Sequence, residues 1–182
     1  MNVEEVTRAK EDWLNFSLEI LVEKGPEKIK IDTLCELKGV SKGSFYHHFK
    51  NRSAFIDELM SYWYKKMTLD FIDQANTEDT PIERLEKLDS VITKSSFGAE
   101  TCIRAWAFTE PIIETYLEKI DTERQRFLFD CYVDMGVRKE MAKDLAIMGY
   151  ANFLGMQQIR PKPSIETVLR ISSLGTKIFL ER

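Results

Sequence analysis

The sequence predicts an all-α protein of about nine helices, with an N-terminal three-helix head that contains a helix-turn-helix and a C-terminal helical body. Three observations predict this fold class. Apolar residues recur at helical spacing along most of the chain, no run shows sustained period-two alternation, and glycine or proline interrupts the periodic segments. A chain of 182 residues is long enough for a small head and a larger body with a real core.

The first predicted helices form the head and the helix that leads out of it. They cover about residues 3–24, 31–38, 42–48 and 51–72. The first ends at Gly25-Pro26, because glycine suits a left-handed cap and proline cannot continue a helix. Gly39 separates the second from the third, and we expect Leu34 and Leu37 to face inward.

Five further helices form the body, at about residues 81–93, 100–108, 111–135, 138–159 and 164–180. Thr80 and Glu83 flank Pro81 in the arrangement of a capping box, which predicts a helix start. We therefore divide the chain into a head, 1–50, with the helix-turn-helix at about 31–50, and a second domain, the body, 51–182. Within that domain, 51–73 is predicted to be a connecting helix.

The segment GVSKGSFYHHFKNR, residues 39–52, differs in charge from the rest of the chain. The net charge is -4, yet four cations and no carboxylate lie between Glu36 and Asp57. A phosphate backbone responds to a local patch, so overall acidity does not exclude an anionic partner. A solvated basic face without a partner is the alternative that charge alone leaves open.

Two short helices joined at a glycine are typical of a helix-turn-helix, whose second helix enters the major groove of DNA. With Phe45 and Phe49 in the core, the exposed side of that helix carries lysine, serine, tyrosine and two histidines. Lysine suits phosphate or guanine, hydroxyls and imidazoles donate to phosphate oxygens, and Gly43 lets the backbone approach the duplex. We expect no carboxylate on this side, because it would repel phosphate.

The string VSKGSFYHHFKNRSAFIDEL, with IDTLCELKG and a helix ending LVEKG before it, resembles the DNA-binding head of the TetR family of bacterial transcription regulators. The resemblance covers about residues 5–60. It implies DNA contacts from the start of the second helix, from the third helix and from the start of the fourth. Those residues are Thr33, Lys42, Gly43, Ser44, Tyr46, His47, His48, Lys50 and Arg52. Lys38 departs from the alanine that the family prefers, and we interpret it as an extra exposed cation.

The resemblance also implies a small-molecule pocket in the body and a homodimer that reads a palindromic operator. Aromatic and sulfur-containing residues that could line the pocket are Trp63, Met67, Phe71, Cys102, Trp106, Phe127 and Tyr150. A plain core is the alternative for each of them. The last two helices are rich in apolar and small residues, and the candidates for the dimer interface are Leu145, Met148, Ala151, Phe153, Gly155, Leu169, Leu174 and Ile178. Burial within the monomer is the alternative for these.

Other functional classes find little support in the sequence. Adjacent helical histidines point about 100° apart and share no ion easily, so we expect no metal and no cofactor. No histidine outside positions 47 and 48 could serve a nucleophile as its base, and no phosphate-binding glycine loop occurs, so we do not expect an enzyme. Three widely spaced cysteines, an N-terminus without an apolar segment and no membrane-spanning stretch predict a cytoplasmic protein.

We therefore predict a DNA-binding transcriptional regulator, a repressor that a small-molecule ligand releases from a palindromic operator. An activator is one alternative. A helical ligand-binding or protein-interaction module with a vestigial helix-turn-helix is another. The sequence leaves open the operator, the regulated genes and the effector.

Overall fold

The computed structural model describes residues 3–95 and 98–180, with side chains described for 8–95 and 98–174. Every regular element in those ranges is helical, which confirms the predicted fold class. The helices are α1 Val3–Lys24, α2 Ile31–Lys38, α3 Lys42–His48, α4 Arg52–Tyr64, α5 Asp70–Ala75, α6 Pro81–Thr93, α7 Gly98–Ala107, α8 Pro111–Asp134, α9 Lys139–Met156 and α10 Ile165–Leu180. A 3₁₀ turn occupies Pro26–Lys28, and a π-helical segment, Lys65–Leu69, runs directly from α4 into α5. With α4, the π segment and α5 counted as one run, the described residues form nine helices, as predicted.

The chain folds into two compact units. The first contains residues 1–64 and 98–117, and therefore α1 to α4, α7 and the start of α8. The second contains residues 65–97 and 118–182, which include the π segment, α5, α6, the rest of α8, α9 and α10. The predicted boundary at residue 50 stays a prediction.

An aromatic cluster forms the centre of the first unit. Trp13 of α1 meets the ring of Phe45 edge-on, with 5.5 Å between centroids. Phe45 also lies 5.1 Å from Phe49 and 5.2 Å from Phe55. All four side chains are at most 2% exposed. Aromatic pairs in this geometry add about 0.5–1.5 kcal/mol each beyond the area that they bury, so this cluster fixes α3 against α1 and α4.

The helix boundaries follow local capping chemistry. Thr80 and Glu83 form the predicted capping box at the start of α6, and the Asn51 side chain accepts a hydrogen bond from the Ala54 N–H at 2.8 Å. Ser164 caps α10 through the Thr167 N–H. Gly136 follows α8 with a φ of 82°, a value that favours glycine.

Several expectations about local structure were wrong. Leu37 is 42% exposed, whereas Leu34 is fully buried. The short helix α2 directs only one of these two leucines toward the core. α9 ends at Met156 rather than near residue 159. The π segment was not predicted. It is held by Arg124, whose guanidinium donates to the Met67 carbonyl at 3.1 Å and to the Thr68 hydroxyl at 3.0 Å. A π segment leaves backbone carbonyls without their usual partners, so a side-chain donor stabilises it.

Among the helices of the described ranges, none combines the length and the hydrophobicity that crossing a bilayer requires.

Candidate nucleic-acid interface

The turn between α2 and α3 has the geometry of a helix-turn-helix. Gly39 adopts a left-handed φ of 71°, and its N–H donates to the Glu36 carbonyl at 3.1 Å. The Val40 N–H donates a hydrogen bond to the Cys35 carbonyl at 3.0 Å. Ser41 then caps α3, because its hydroxyl accepts a hydrogen bond from the Ser44 N–H at 3.4 Å. Two consecutive caps therefore fix where α3 begins and which way it turns.

α3 buries one side and exposes the other. Phe45 and Phe49 are at most 1% exposed, which confirms that they enter the core. Tyr46 is 52% exposed although it is aromatic. We call the outward residues of α3 the reading surface: Lys42, Gly43, Tyr46 and His47 are exposed, and Ser44 and His48 are half-buried. This surface contains every α3 residue predicted to touch DNA.

Gly43 is not required by the fold of the protein itself. A Cβ atom at this position would meet only the Ser41 hydroxyl, at an ordinary 3.5 Å. Glycine inside a helix costs about 1 kcal/mol relative to alanine. A glycine that the protein does not need for its own packing is typical of a place where another molecule approaches the backbone.

The expectation of a surface without carboxylates was wrong. The Asp32 carboxylate of α2 lies 2.8 Å from the Lys42 ammonium, and the two side chains are 74% and 59% exposed. This hydrogen bond raises the pKa of Lys42, which stays charged. Thr33, the next residue of α2, is half-buried. Sequence reading missed this ion pair because the partners are on different helices.

The predicted phosphate contact at the start of α4 also has an acidic partner. Arg52 forms an ion pair with Glu110, with 2.7 Å between the guanidinium nitrogen and the carboxylate oxygen. Glu110 precedes α8 in the same compact unit. Lys50, between α3 and α4, is exposed. The described structure therefore pairs two of the predicted cations and leaves Lys50 facing solvent.

His48 is one of the two half-buried polar side chains of α3. Its Nδ1 atom is buried and has no hydrogen-bond partner in the part of the chain that the structure describes. Burial lowers the pKa of His48, and the charges of His47 and Lys10 lower it further. The neutral imidazole can donate only one hydrogen bond, so His48 is suited to a single contact with an acceptor such as a phosphate oxygen.

Lys38 is not the free cation that the sequence suggested. Its ammonium lies 4.7 Å from the ring centre of Phe16 and 5.2 Å from that of Trp13. Lysine in this position gains a cation–π interaction and covers the two rings with its aliphatic stem. Lys38 therefore ties the end of α2 to α1.

Comparison with known proteins agrees with this geometry. Residues 14–59, which include the whole helix-turn-helix, match the family described as bacterial regulatory proteins, tetR family. Over these residues the chain is similar to the TetR family. Over 107 residues it is 30% identical to the Transposon Tn10 TetC protein of Escherichia coli, a match that covers 59% of this chain and 42% of TetC. The chain thus spans about two fifths of the length of the curated relative that it matches.

Solved structures show that the resemblance in fold extends to the body. A TetR-family protein from Rhodococcus sp. has a TM-score of 0.78 at 17% identity, covering 94% of this chain and 98% of that chain. A transcriptional regulator (TerR/AcrR family) from Aquifex aeolicus VF5 has a TM-score of 0.74 at 22% identity, covering 94% and 99%. A regulator from Saccharomonospora viridis, solved in complex with choline, has a TM-score of 0.72 at 15% identity, covering 97% of each chain. At these identities the likeness concerns the fold.

The candidate pocket residues fall into both units. Trp63, Cys102 and Trp106 belong to the first, and Met67, Phe71, Phe127 and Tyr150 belong to the second. In the second unit, the guanidinium of Arg124 bridges the Met67 carbonyl and the Tyr150 hydroxyl. Phe127 packs instead with Ala75 and Cys131. Their role in a ligand pocket stays a prediction.

The candidate dimer residues divide by exposure. Leu145 is 5% exposed and packs against Tyr132 and Ala142 of its own chain. By contrast, Met148, Ala151, Gly155 and Leu174 are exposed, and Phe153 and Leu169 are half-buried. The side chain of Ile178 lies outside the described residues. The dimer interface stays a prediction, and the exposed members are those available to a second chain.

Proposed function

We propose that this TetR-family protein is a homodimeric transcriptional repressor whose two reading surfaces bind a palindromic operator, and that a small molecule bound in the body releases it. The observation that carries the proposal is the construction of α3. Its aromatic side is locked into the core, while the outer side offers cationic, hydroxyl and imidazole donors around a glycine. That arrangement suits insertion into a major groove.

Dimerisation gives the short reading surface its specificity. One α3 of seven residues contacts few base pairs. Two copies related by a two-fold axis would read half-sites about 34–36 Å apart, one turn of DNA. The exposed apolar and small residues of α9 and α10 support this assembly, because a stripe of this kind stays in water unless a partner covers it.

The proposed release is a population shift between dimers that fit the operator and dimers that do not. The chain passes from the first unit to the second after residue 64, directly between α4 and the π segment, and again within α8. We propose the run from α4 to α5 as the connecting helix. The choline complex of the Saccharomonospora viridis regulator supports the view that proteins of this fold accept small molecules.

The test begins with a site for the protein. Duplexes selected by the purified protein from random-sequence DNA should converge on a palindrome. Lys42→Ala and Tyr46→Ala should each weaken binding to that duplex by about 1–3 kcal/mol per head, which is the range for losing a base contact. Fluorescence anisotropy at fixed salt measures the affinity.

Lys28→Ala is the matched control, because Lys28 is an exposed cation of the same unit that belongs to the 3₁₀ turn and not to α3. It should leave the affinity nearly unchanged. Equal affinities for wild type, Lys42→Ala and Tyr46→Ala would remove α3 from the interface. Failure to enrich any sequence, with no binding in dilute buffer, would favour the interaction-module alternative.

A further inference from the structure

The start of α4 is a place where the free protein already neutralises a cation that DNA would use. Arg52 is the first residue of α4, and its side chain is 43% exposed. The Glu110 side chain that it meets at 2.7 Å is only 21% exposed. The guanidinium therefore reaches toward a carboxylate that is largely withdrawn from water.

Backbone hydrogen bonds hold Glu110 in place. Its N–H donates to the Trp106 carbonyl at 3.1 Å, and its carbonyl accepts from the Ile113 N–H at 3.0 Å. Trp106 and Ile113 are both buried. The Glu110 backbone is thus fixed between the end of α7 and the start of α8 by contacts that do not involve Arg52.

A second contact holds the start of α8 against α4. The Tyr116 hydroxyl donates to the Asp57 carboxylate at 2.9 Å, and it also lies 3.0 Å from the Asp57 backbone carbonyl. Burial raises the pKa of Tyr116 to about 12, so the hydroxyl keeps its proton at neutral pH. The two contacts join the same parts of the chain, because Asp57 follows Arg52 by five residues and Tyr116 follows Glu110 by six.

A carboxylate paired with an arginine resembles a phosphate bound to that arginine, because both anions offer oxygen acceptors to the same guanidinium. The N-terminus of a helix such as α4 also favours an anion. When Arg52 turns to a phosphate, Glu110 loses its partner and remains as a negative charge beside the DNA. Both effects oppose binding.

We infer that Glu110 is an affinity-determining residue of the interface, which lowers the affinity of each head for duplex DNA by competing with phosphate for Arg52. The inference rests on the proposed function. It adds a carboxylate from outside the helix-turn-helix to the set of residues that decide how tightly the head binds.

The experiment replaces the carboxylate without changing its size. Glu110→Gln should bind duplex DNA about two- to fivefold more tightly per head, the range for the loss of a partly exposed ion pair. The plot of log affinity against log salt should also steepen by about 0.9 per head, because one more cation becomes available to neutralise a phosphate. Since this effect is independent of sequence, the probe is a random-sequence duplex of about 30 base pairs, titrated between about 50 and about 200 mM salt.

Glu114→Gln is the matched control. Glu114 lies one turn further along α8, is exposed, and forms no ion pair among the described residues. It changes the net charge equally, so a general charge effect would appear in both variants. In an Arg52→Ala background, the gain from Glu110→Gln should be smaller than in the wild-type background, because no arginine is left for Glu110 to compete for. Circular dichroism and thermal unfolding verify that each variant is folded at the titration temperature.

Two results would overturn the inference. One is that Glu110→Gln and Glu114→Gln bind duplex DNA with equal affinity. The other is that Glu110→Gln binds more weakly, which would make Glu110 a residue that orients Arg52 for binding. If wild type binds duplex DNA and Lys42→Ala weakens it in either of these cases, the proposed function survives and only the inference fails. If neither wild type nor any variant binds duplex DNA in dilute buffer, the proposed function itself fails.

Discussion

α3 and α9 have opposite surfaces although each is anchored by buried apolar residues. α3 turns Phe45 inward and presents polar groups and a glycine outward. α9 buries Ala142 and Tyr150, yet its other side exposes Met148 at 55%. The outward side of a helix shows which partner it suits: donors and cations suit a phosphate backbone, and a stripe of methionine and small residues suits another protein surface.

The largest expected effect is on the anchored side of α3. Phe45→Ala removes a side chain that touches Trp13, Phe49 and Phe55, and it should lower the free energy of unfolding by about 3–5 kcal/mol. Urea denaturation followed by aromatic fluorescence measures the loss. Tyr46→Ala, one residue along but outward, should cost less than about 1 kcal/mol. Similar losses for the two variants would contradict the division of α3 into a buried and an outward side.

A second contrast concerns carboxylates. Asp32 beside α3 is exposed and paired, whereas burial raises the pKa of Asp89 in α6 to about 6, with the charge of Glu86 adding to the effect. A folded-state pKa above the ordinary value of 3.8 means that the protonated form favours folding. That contribution is complete below about pH 4 and is lost as the pH rises through about 6. At pH 8 the ionised group therefore destabilises the fold.

Asp89→Asn should accordingly stabilise the protein by about 2 kcal/mol at pH 8 and leave its stability nearly unchanged at pH 4. Urea unfolding across this pH range measures the difference. Asp130→Asn is the control, since Asp130 is an exposed carboxylate of α8. A gain from Asp89→Asn that is the same at both pH values would contradict the role given to burial.

The smallest expected effect is on the outward side of α9. Met148→Glu places a charge where we propose that a second chain packs, and it should weaken the dimer at least about tenfold, or about 1.4 kcal/mol, without unfolding the monomer. Analytical ultracentrifugation across a concentration series measures the dissociation. Lys143→Glu, an exposed position on a different side of α9, should leave the association unchanged. A wild-type chain that stays monomeric would remove the basis of this contrast.

Much of the fold could be predicted because its boundaries are local. Thr80, Glu83 and Gly136 end or begin helices through neighbours three or four residues away, and such patterns are visible in the sequence. The inward Phe45 and Phe49 follow from helical spacing in the same way. The predicted set of outward α3 residues likewise follows from the repeat of the α-helix.

The missing parts depend on pairs that are distant in sequence or divided between helices. Glu110 is 58 residues from Arg52, and Arg124 is 56 residues from the Thr68 hydroxyl that it binds. No acidic residue lies between Glu36 and Asp57 in the sequence. In the structure, however, Asp32 and Glu110, which lie before and after this segment in the chain, place carboxylates beside its cations. A one-dimensional pattern carries no information about such neighbours.

The brevity of α3 has a consequence for how the protein fails. A helix of seven residues that contains a glycine has almost no stability by itself in water. The aromatic cluster beneath α3 holds it in its helical conformation. A substitution that disrupts the cluster would therefore abolish the proposed DNA recognition rather than weaken it gradually. Under the proposed function, DNA binding and the folding of the head should be lost together, so DNA affinity would report whether this small unit is intact.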